Sequence, residues 1–201
     1  SLVEAAKAIY QKEDLPYIRK AESAGIPQAV KKLINIADDA KNKSNRVLAL
    51  VTGVPGSGKT LLGLDLVHKT HNNFQGSIFL SGNGPLVEVL QYALESKTFV
   101  RPLRNFTMEH GITKRSVPKE HIIVFDEAQR SWDKDHVFKK HNVCISEPEL
   151  IIEIAENILD WSFLVGLVGE GQEIHVGEEA GISQWRDAIV SGKCSWSVVC
   201  P

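Results

Sequence analysis

One stretch of the sequence decides its fold: Gly53-Val54-Pro55-Gly56-Ser57-Gly58-Lys59-Thr60. It matches the pattern G-x-x-x-x-G-K-[ST], follows the apolar run VLALVT and precedes the run LLGLDLVHK. Glycines let such a loop curl with its N–H groups pointing inward, and the helix that follows adds its positive N-terminal end. A strand, a phosphate-binding loop (P-loop) and a helix are therefore predicted in this order.

The residue types of the loop predict that it binds ATP. Lys59 is expected to reach the β- and γ-phosphates, and the Thr60 hydroxyl is expected to ligate Mg²⁺. The inward N–H groups are expected to surround the phosphates. The predicted nucleotide contacts are Gly53, Pro55, Gly56, Ser57, Gly58, Lys59, Thr60 and Leu61.

An apolar run that ends in two acids supplies the second half of the predicted site: His121-Ile122-Ile123-Val124-Phe125-Asp126-Glu127. Asp126 is expected to hold Mg²⁺, directly or through water. Glu127 is expected to polarise the attacking water as a general base. Two adjacent acids after a strand also occur at helix N-termini, and that alternative stays open.

From Arg46 onward, short apolar runs alternate with amphipathic stretches, a pattern typical of parallel β-α units. The predicted strands are Val47–Thr52, Ser77–Ser81, His121–Phe125, Ser162–Val168 and Ser195–Val199. The predicted helices run from about Lys59 to Thr70, Pro85 to Lys97, Pro148 to Asp160 and Glu179 to Ser191. Because these strands are too apolar to be half-exposed, the sheet is expected to be covered on both faces.

The residues before this pattern are predicted to be helical. Pro16 and the triplet Gly25-Ile26-Pro27 break residues 2–43 into about three helices. We therefore expect a helical N-terminal extension over residues 1–44 and an α/β domain over residues 45–201.

Two long polar connections, Lys97–His121 and Arg130–Glu147, are predicted as loops. The first has many more basic than acidic residues. The basic ones are Lys97, Arg101, Arg104, Lys114, Arg115 and Lys119, and the acids are Glu109 and Glu120. A solvated charged loop and a contact with a phosphate backbone both fit this composition.

The bulk composition is that of an ordinary soluble protein. The 201 residues are 43% hydrophobic and 24% charged, with a net charge of −2. These values exclude a disordered tail and a uniformly basic surface for nucleic acid. No apolar run approaches the ~18 residues that span a bilayer, and the first residues lack the features of a secretory signal. The three cysteines, Cys144, Cys194 and Cys200, show no metal or redox spacing, so a reducing, cytoplasmic setting is expected.

Several stretches resemble the conserved motifs of superfamily-one helicases. Asp126-Glu127-Ala128-Gln129-Arg130 resembles motif II, and residues 81–90 lie where motif Ia would. Residues 167–175, followed by Ile182-Ser183-Gln184-Trp185, look like motif III and its sequel. Over about residues 46–201 the sequence closely resembles the Schlafen-type (group 3) DNA/RNA helicase-like ATPases. This resemblance implies a three-layer, RecA-like α/β fold with a five-stranded parallel sheet in the order 5-1-4-3-2.

The resemblance also implies further site residues. Gln172 would sense the γ-phosphate and take part in catalysis, with a polar turn as the alternative. Ser81 and Asn83 would contact single-stranded nucleic acid, or else cap the helix that follows them. Gln28 resembles the glutamine that reads adenine, and an exposed helical glutamine is the alternative.

The predicted function is an ATP-binding and ATP-hydrolysing motor domain of a helicase-like protein that acts on single-stranded DNA or RNA. Such motors bind ATP between two RecA-like domains, so we expect a truncated chain that lacks the second domain and hydrolyses ATP slowly. The alternatives are an ATP-gated switch in nucleic-acid defence and a thymidine-kinase-like small-molecule kinase. The kinase fits less well because such enzymes usually carry a zinc-binding cysteine pair. Trp161 and Trp185 are expected to be packing residues.

Overall fold

A parallel six-stranded sheet forms the centre of the computed structural model, which describes residues 2–11, 25–54, 56–126, 128, 145–169 and 179–201. The strands are β1 (Arg46–Gly53), β2 (Ser77–Ser81), β3 (Val100–Pro102), β4 (Ile122–Phe125), β5 (Ser162–Gly169) and β6 (Trp196–Val199). The helices are α1 (Leu2–Gln11), α2 (Ile26–Lys43), α3 (Lys59–Thr70), α4 (Gly84–Ala93), α5 (Leu103–Thr107), α6 (Glu147–Glu156) and α7 (Glu179–Ser191). A π-helical turn, Met108–Thr113, continues α5.

The strands follow one another across the sheet in the order β3-β2-β4-β5-β1-β6, and each of these pairings is parallel. The prediction of five strands is therefore wrong in number, and the full order of six strands differs from the stated 5-1-4-3-2. The five predicted strands, which are β1, β2, β4, β5 and β6, nevertheless follow one another in that order. The difference arises from β3, which adds an edge strand beside β2. Three residues are too few to show the periodic pattern by which a strand is predicted.

The segment Lys97–His121, predicted as a loop, is mostly regular structure. It contains β3, α5 and the π-helical turn in direct succession. Leu103 and Phe106 of α5 are buried, and their spacing places both on one helix face. The charged residues around them obscure this short apolar pattern in the sequence. The second predicted loop, Arg130–Glu147, lies largely outside the described residues.

Both faces of the sheet are covered by helices, and the predicted α/β fold with a parallel sheet is confirmed. Along β4, Ile122 and Val124 belong to one apolar cluster, whereas Ile123 and Phe125 belong to a second one. Residues of α1, α2, α3 and α4 complete the first cluster. Residues of α5, α6 and α7 complete the second. The alternation follows from the period of two along a strand.

Helix α3 is buried on nearly all sides. The seven residues 61–67 are all buried, because α3 lies between the sheet and the helices α1 and α2. From α1, the Tyr10 hydroxyl donates a hydrogen bond to the Leu64 carbonyl at 3.5 Å. The Tyr10 ring also packs against His68 and Phe99. The helical extension thus shares an apolar core with the α/β part, and its boundary at residue 44 stays a prediction.

Candidate nucleotide-binding site

The predicted phosphate-binding loop joins the C-terminal end of β1 to the first residue of α3. Gly56 and Gly58 have φ values of 77° and 88°. Residues with side chains rarely adopt such values, so the turns of this loop require glycine. The loop and the first turn of α3 bring together the residues predicted to contact the nucleotide, except that Pro55 lies outside the described residues.

The ammonium group of Lys59 points back into this loop. Its Nζ atom donates to the carbonyl oxygens of Gly53 at 2.5 Å and Val54 at 3.0 Å, and to Ser57 Oγ at 3.4 Å. These acceptors are uncharged, and an ammonium group forms stronger hydrogen bonds with charged phosphate oxygens. The side chain is long and flexible, so it can exchange the loop carbonyls for a phosphate group bound beside them.

The structure brings together the two side chains predicted to hold Mg²⁺. Thr60 Oγ1 donates a hydrogen bond of 3.2 Å to Asp126 Oδ2. The Asp126 N–H donates to the Leu80 carbonyl at 2.9 Å. This bond continues the pairing of β4 with β2 and fixes the start of residues 126–130, which we call the acidic motif. Hydroxyl and carboxylate oxygens are hard donors, and Mg²⁺ commonly binds one or two of them together with phosphate oxygens and water. These two residues therefore fit the ion. Glu127, the predicted general base, lies outside the described residues.

Strand β5 lies between β1 and β4, so it ends between the loop and Asp126. Its last residue, Gly169, is opposite Gly53 in the pairing with β1. Gln172, the predicted γ-phosphate sensor, belongs to the segment that follows and lies outside the described residues. Its role stays a prediction.

The first turn of α2 lies against the phosphate-binding loop. Ile26 is 5% exposed, and a Cβ atom built on Gly58 would lie 2.7 Å from Ile26 Cδ1. A side chain at position 58 would have to displace the end of the Ile26 side chain, and it would also be strained by the φ of 88°. Gln28 is exposed in the same turn of α2. The fold thus brings Gln28 to the side of the loop, although its part in adenine binding stays a prediction.

Ser81 and Asn83, predicted to contact nucleic acid, shape the turn between β2 and α4. Ser81 is 2% exposed, and its Oγ atom accepts a hydrogen bond from the Asn83 N–H at 3.1 Å. Asn83 caps α4, since its Oδ1 atom accepts from the Leu86 N–H at 3.2 Å. Asn83 thus has the capping contact that the alternative interpretation expects, whereas Ser81 hydrogen-bonds within the turn that precedes the helix. Asn83 is exposed, and the nucleic-acid contact stays a prediction.

The basic residues of the segment 97–119 differ in their surroundings. Arg101 and Lys114 share the carboxylate of Glu109, at 2.7 Å and 3.1 Å. Hydrogen bonds from Arg101 and from Lys114 lower the pKa of Glu109 to about 2. Arg101 also lies over the Phe106 ring, 5.7 Å from its centre. The remaining basic side chains of this segment are exposed, namely those of Lys97, Arg104, Arg115 and Lys119.

Trp185 touches the acidic motif, a contact not expected from its place in the sequence. Its side chain is 1% exposed, and its Nε1 atom donates to the Ala128 carbonyl at 3.1 Å. Trp161 is 2% exposed, so the packing role predicted for both tryptophans is confirmed. The Trp185 contact spans 57 positions, and no motif spacing indicates it.

A search for other metal sites gives a negative result within the described residues. No group of three or more His, Cys, Asp or Glu side chains there could hold a metal ion. The two-residue site at Thr60 and Asp126 is instead typical of an ion that binds together with a phosphorylated ligand. Over the same part of the chain, no helix is long and apolar enough to cross a membrane.

Comparison with known proteins gives one family and a distant structural relative. The family model described as "Schlafen group 3, DNA/RNA helicase domain" matches residues 46–198. No curated protein matches the chain. Among solved structures, the Hef helicase domain of Pyrococcus furiosus is similar, with 15% sequence identity and a TM-score of 0.47. The match covers 83% of this chain but 37% of the Hef chain. Because the family model spans more than half of the sequence, the chain belongs to the Schlafen group 3 DNA/RNA helicase domain family.

Proposed function

We propose that the chain binds Mg·ATP and hydrolyses it as the first motor domain of a nucleic-acid-dependent, helicase-like ATPase. The contact between Thr60 and Asp126 carries this proposal. It joins the hydroxyl of the loop motif to the carboxylate of the acidic motif, at the edge of the sheet where β1 and β4 both end. Two motifs that are separate in the sequence thereby form one site, whose oxygen donors suit Mg²⁺.

The phosphates would bind in the loop. Its N–H groups and the N-terminus of α3 attract the negative charge, and Lys59 would turn from the carbonyls of Gly53 and Val54 to the β- and γ-phosphate oxygens. The remaining proposed contacts in the loop and first helical turn are Pro55, Gly56, Ser57, Gly58, Thr60 and Leu61. Gln28 would hydrogen-bond the adenine from the first turn of α2.

Hydrolysis would depend on residues that follow β4 and β5. Mg²⁺, when bound by Thr60 and Asp126, neutralises part of the phosphate charge. Glu127 would accept a proton from the attacking water, and Gln172 would hydrogen-bond the γ-phosphate. An arginine from a second RecA-like domain would supply the remaining positive charge and a large part of the rate.

Single-stranded DNA or RNA is the proposed macromolecular partner. Strand β2 is parallel to β4, so the turn with Ser81 and Asn83 lies at the same edge of the sheet as Asp126. Nucleic acid bound there would be next to the nucleotide, which is the arrangement that a nucleic-acid-dependent ATPase requires.

Phosphate release with and without single-stranded DNA or RNA tests the proposal. A motor should release phosphate faster with the oligonucleotide, provided that the second domain is present. ATP binding with slow release that no oligonucleotide changes would favour an ATP-gated switch. Transfer of the γ-phosphate to a nucleoside instead of water would favour a kinase.

A further inference from the structure

We propose that Trp185 is a positioning residue that holds the acidic motif in place for ATP hydrolysis. The inference rests on the proposed function, because it assigns Asp126 to the metal and Glu127 to the attacking water. Trp185 touches neither the metal ligand oxygen nor the water in this proposal. It acts through the two residues that flank the acidic pair, Phe125 and Ala128.

The first contact of Trp185 restricts the backbone that follows the acidic pair Asp126-Glu127. The indole N–H of Trp185 donates to the carbonyl oxygen of Ala128 at 3.1 Å. Both residues are buried, at 1% and 2% exposure, so water does not compete for this carbonyl. Loss of the indole N–H would remove a buried hydrogen bond that joins this peptide to α7. The hydrogen bond therefore restricts the backbone directly after Glu127.

The second contact of Trp185 holds Phe125, the residue before the acidic pair. The Trp185 ring stacks on the Phe125 ring, with the centroids 4.7 Å apart and the planes 19° from parallel. Phe125 ends β4, and Asp126 is the next residue. One side chain of α7 thus contacts the residues on both sides of the two predicted catalytic acids.

Strand β5 packs closely against the same two residues, Phe125 and Ala128. A Cβ atom built on Gly166 would lie 3.1 Å from the Phe125 ring and 3.2 Å from Ala128 Cβ. Phe125 and Ala128 are therefore both packed against a buried tryptophan and against the closely approaching strand β5. A displacement of a catalytic group by ~1 Å can cost about a hundredfold in rate, so this support should affect hydrolysis more than binding.

The variant Trp185→Phe tests the proposal because it keeps an aromatic ring and removes the N–H donor. We expect kcat for ATP hydrolysis to fall by about tenfold to a hundredfold, with KM and the Kd for Mg·ATP changed little. We also expect faster amide hydrogen exchange in residues 125–129, measured by mass spectrometry. A structural effect alone would lower stability without this separation of kcat from KM.

Trp161→Phe is the matched control. Trp161 is 2% exposed, and its Nε1 atom donates to Gln75 Oε1 at 3.0 Å. It directly precedes β5, so it lies at the N-terminal ends of the strands, opposite the ends at which Asp126 lies. The control likewise removes the indole donor of a buried tryptophan, although its acceptor is the side chain of the exposed Gln75. We expect it to leave kcat and the exchange of residues 125–129 unchanged.

Two outcomes would overturn the inference: unchanged exchange and kcat in Trp185→Phe, or an equal fall of kcat in both variants. Absence of ATP hydrolysis by an unmodified protein that includes the second motor domain would instead refute the proposed function. The exchange comparison would still decide in that case whether Trp185 holds the segment, because exchange does not depend on hydrolysis.

Discussion

Thr60 Oγ1 and Asp126 Oδ2 are 3.2 Å apart, although 66 positions separate the two residues in the sequence. Thr60 lies in the first turn of α3, just after β1, and Asp126 follows β4. The two strands flank β5 and end at the same edge of the sheet. The contact is thus a consequence of the strand order, and it gives a carboxylate and a hydroxyl that one cation can bind together.

Thr60→Val should weaken Mg·ATP binding, because valine keeps the shape of threonine but has no oxygen for the ion. We expect the affinity to fall by at least about tenfold, or ~1.4 kcal/mol. In EDTA, without Mg²⁺, the affinity for ATP should match that of the unmodified protein. Asp126→Asn should likewise reduce the dependence of binding on Mg²⁺. Isothermal calorimetry with and without the ion measures both effects.

Thr70→Val is the control for this substitution. Thr70 is buried in the last turn of the same helix, where its hydroxyl donates to the Leu66 carbonyl at 2.7 Å. Loss of this hydrogen bond should lower the stability of the folded protein and leave its nucleotide affinity unchanged. Unaltered Mg·ATP affinity in Thr60→Val would contradict the assignment of the metal site.

Lys59→Ala should nearly abolish ATP binding. The loop would then surround several negative charges without its main cation, and we expect a loss of roughly a hundredfold or more, about 2.7 kcal/mol. The fold should persist, since Lys59 bonds loop groups rather than core residues. Lys69→Ala removes a lysine from the other end of the same helix, where it pairs with Asp65 at 2.7 Å. In calorimetry, Lys69→Ala should bind ATP with the affinity of the unmodified protein. Equal ATP affinities of Lys59→Ala and Lys69→Ala would refute the assignment of the phosphate-binding loop.

Glu127→Gln should separate binding from hydrolysis. The amide has the size of the carboxyl group but cannot accept the proton of the attacking water. We expect ATP affinity to be retained and the hydrolysis rate to fall by about 10²- to 10⁴-fold. Single-turnover phosphate release, in a protein that includes the second motor domain, gives the rate. Hydrolysis at the unmodified rate would assign the base to another residue.

Sequence reasoning located the loop and the acidic motif because phosphate and metal chemistry demand particular residue types at fixed spacing. Residues other than glycine rarely adopt a φ such as the 88° of Gly58, and only a few kinds of side chain ligate Mg²⁺. Long apolar strands such as β5 could also be predicted from the sequence, because a strand that is buried on both faces is a continuous hydrophobic run.

Contacts between distant parts of the chain left no comparable pattern. Nothing around Trp185 indicates that its indole reaches Ala128, and nothing around Ile26 indicates that it packs on Gly58. The edge strand β3 pairs through backbone groups over three residues, and backbone pairing does not restrict which side chains are present. These features depend on contacts between residues that are distant in the sequence, and local sequence patterns do not indicate such contacts.

Glu109→Gln should destabilise the segment 100–114 in a pH-dependent way. The pKa of Glu109 is about 2 in the folded protein, below its ordinary value of 4.5, because Arg101 and Lys114 bind the carboxylate. A lowered folded pKa means that the stabilisation is fully present above about pH 4.5 and is lost as the pH falls towards 2. The difference in denaturation midpoint between the unmodified protein and the variant should therefore shrink as the pH is lowered over this range.

Glu88→Gln, at an exposed position of α4, is the control for the loss of one surface carboxylate. It should change the midpoint little at any pH. A difference between the unmodified protein and Glu109→Gln that stays constant with pH would show that the two ion pairs do not stabilise the segment.

Gln28→Ala should reduce the preference for ATP over GTP. The first turn of α2 approaches the phosphate-binding loop through Ile26 and Gly58, and Gln28 is an exposed residue of the same turn. We propose that its side chain hydrogen-bonds the adenine edge. A site that hydrogen-bonds one base rejects another because its polar group is then left unpaired. We expect ATP affinity to fall by about tenfold, or ~1.4 kcal/mol, and GTP affinity to change little. Asn35→Ala, at an exposed position two turns along the same helix, should leave both affinities unchanged. If Gln28→Ala keeps the full preference for ATP in competition binding, the glutamine is an ordinary exposed helical residue and the base is read elsewhere.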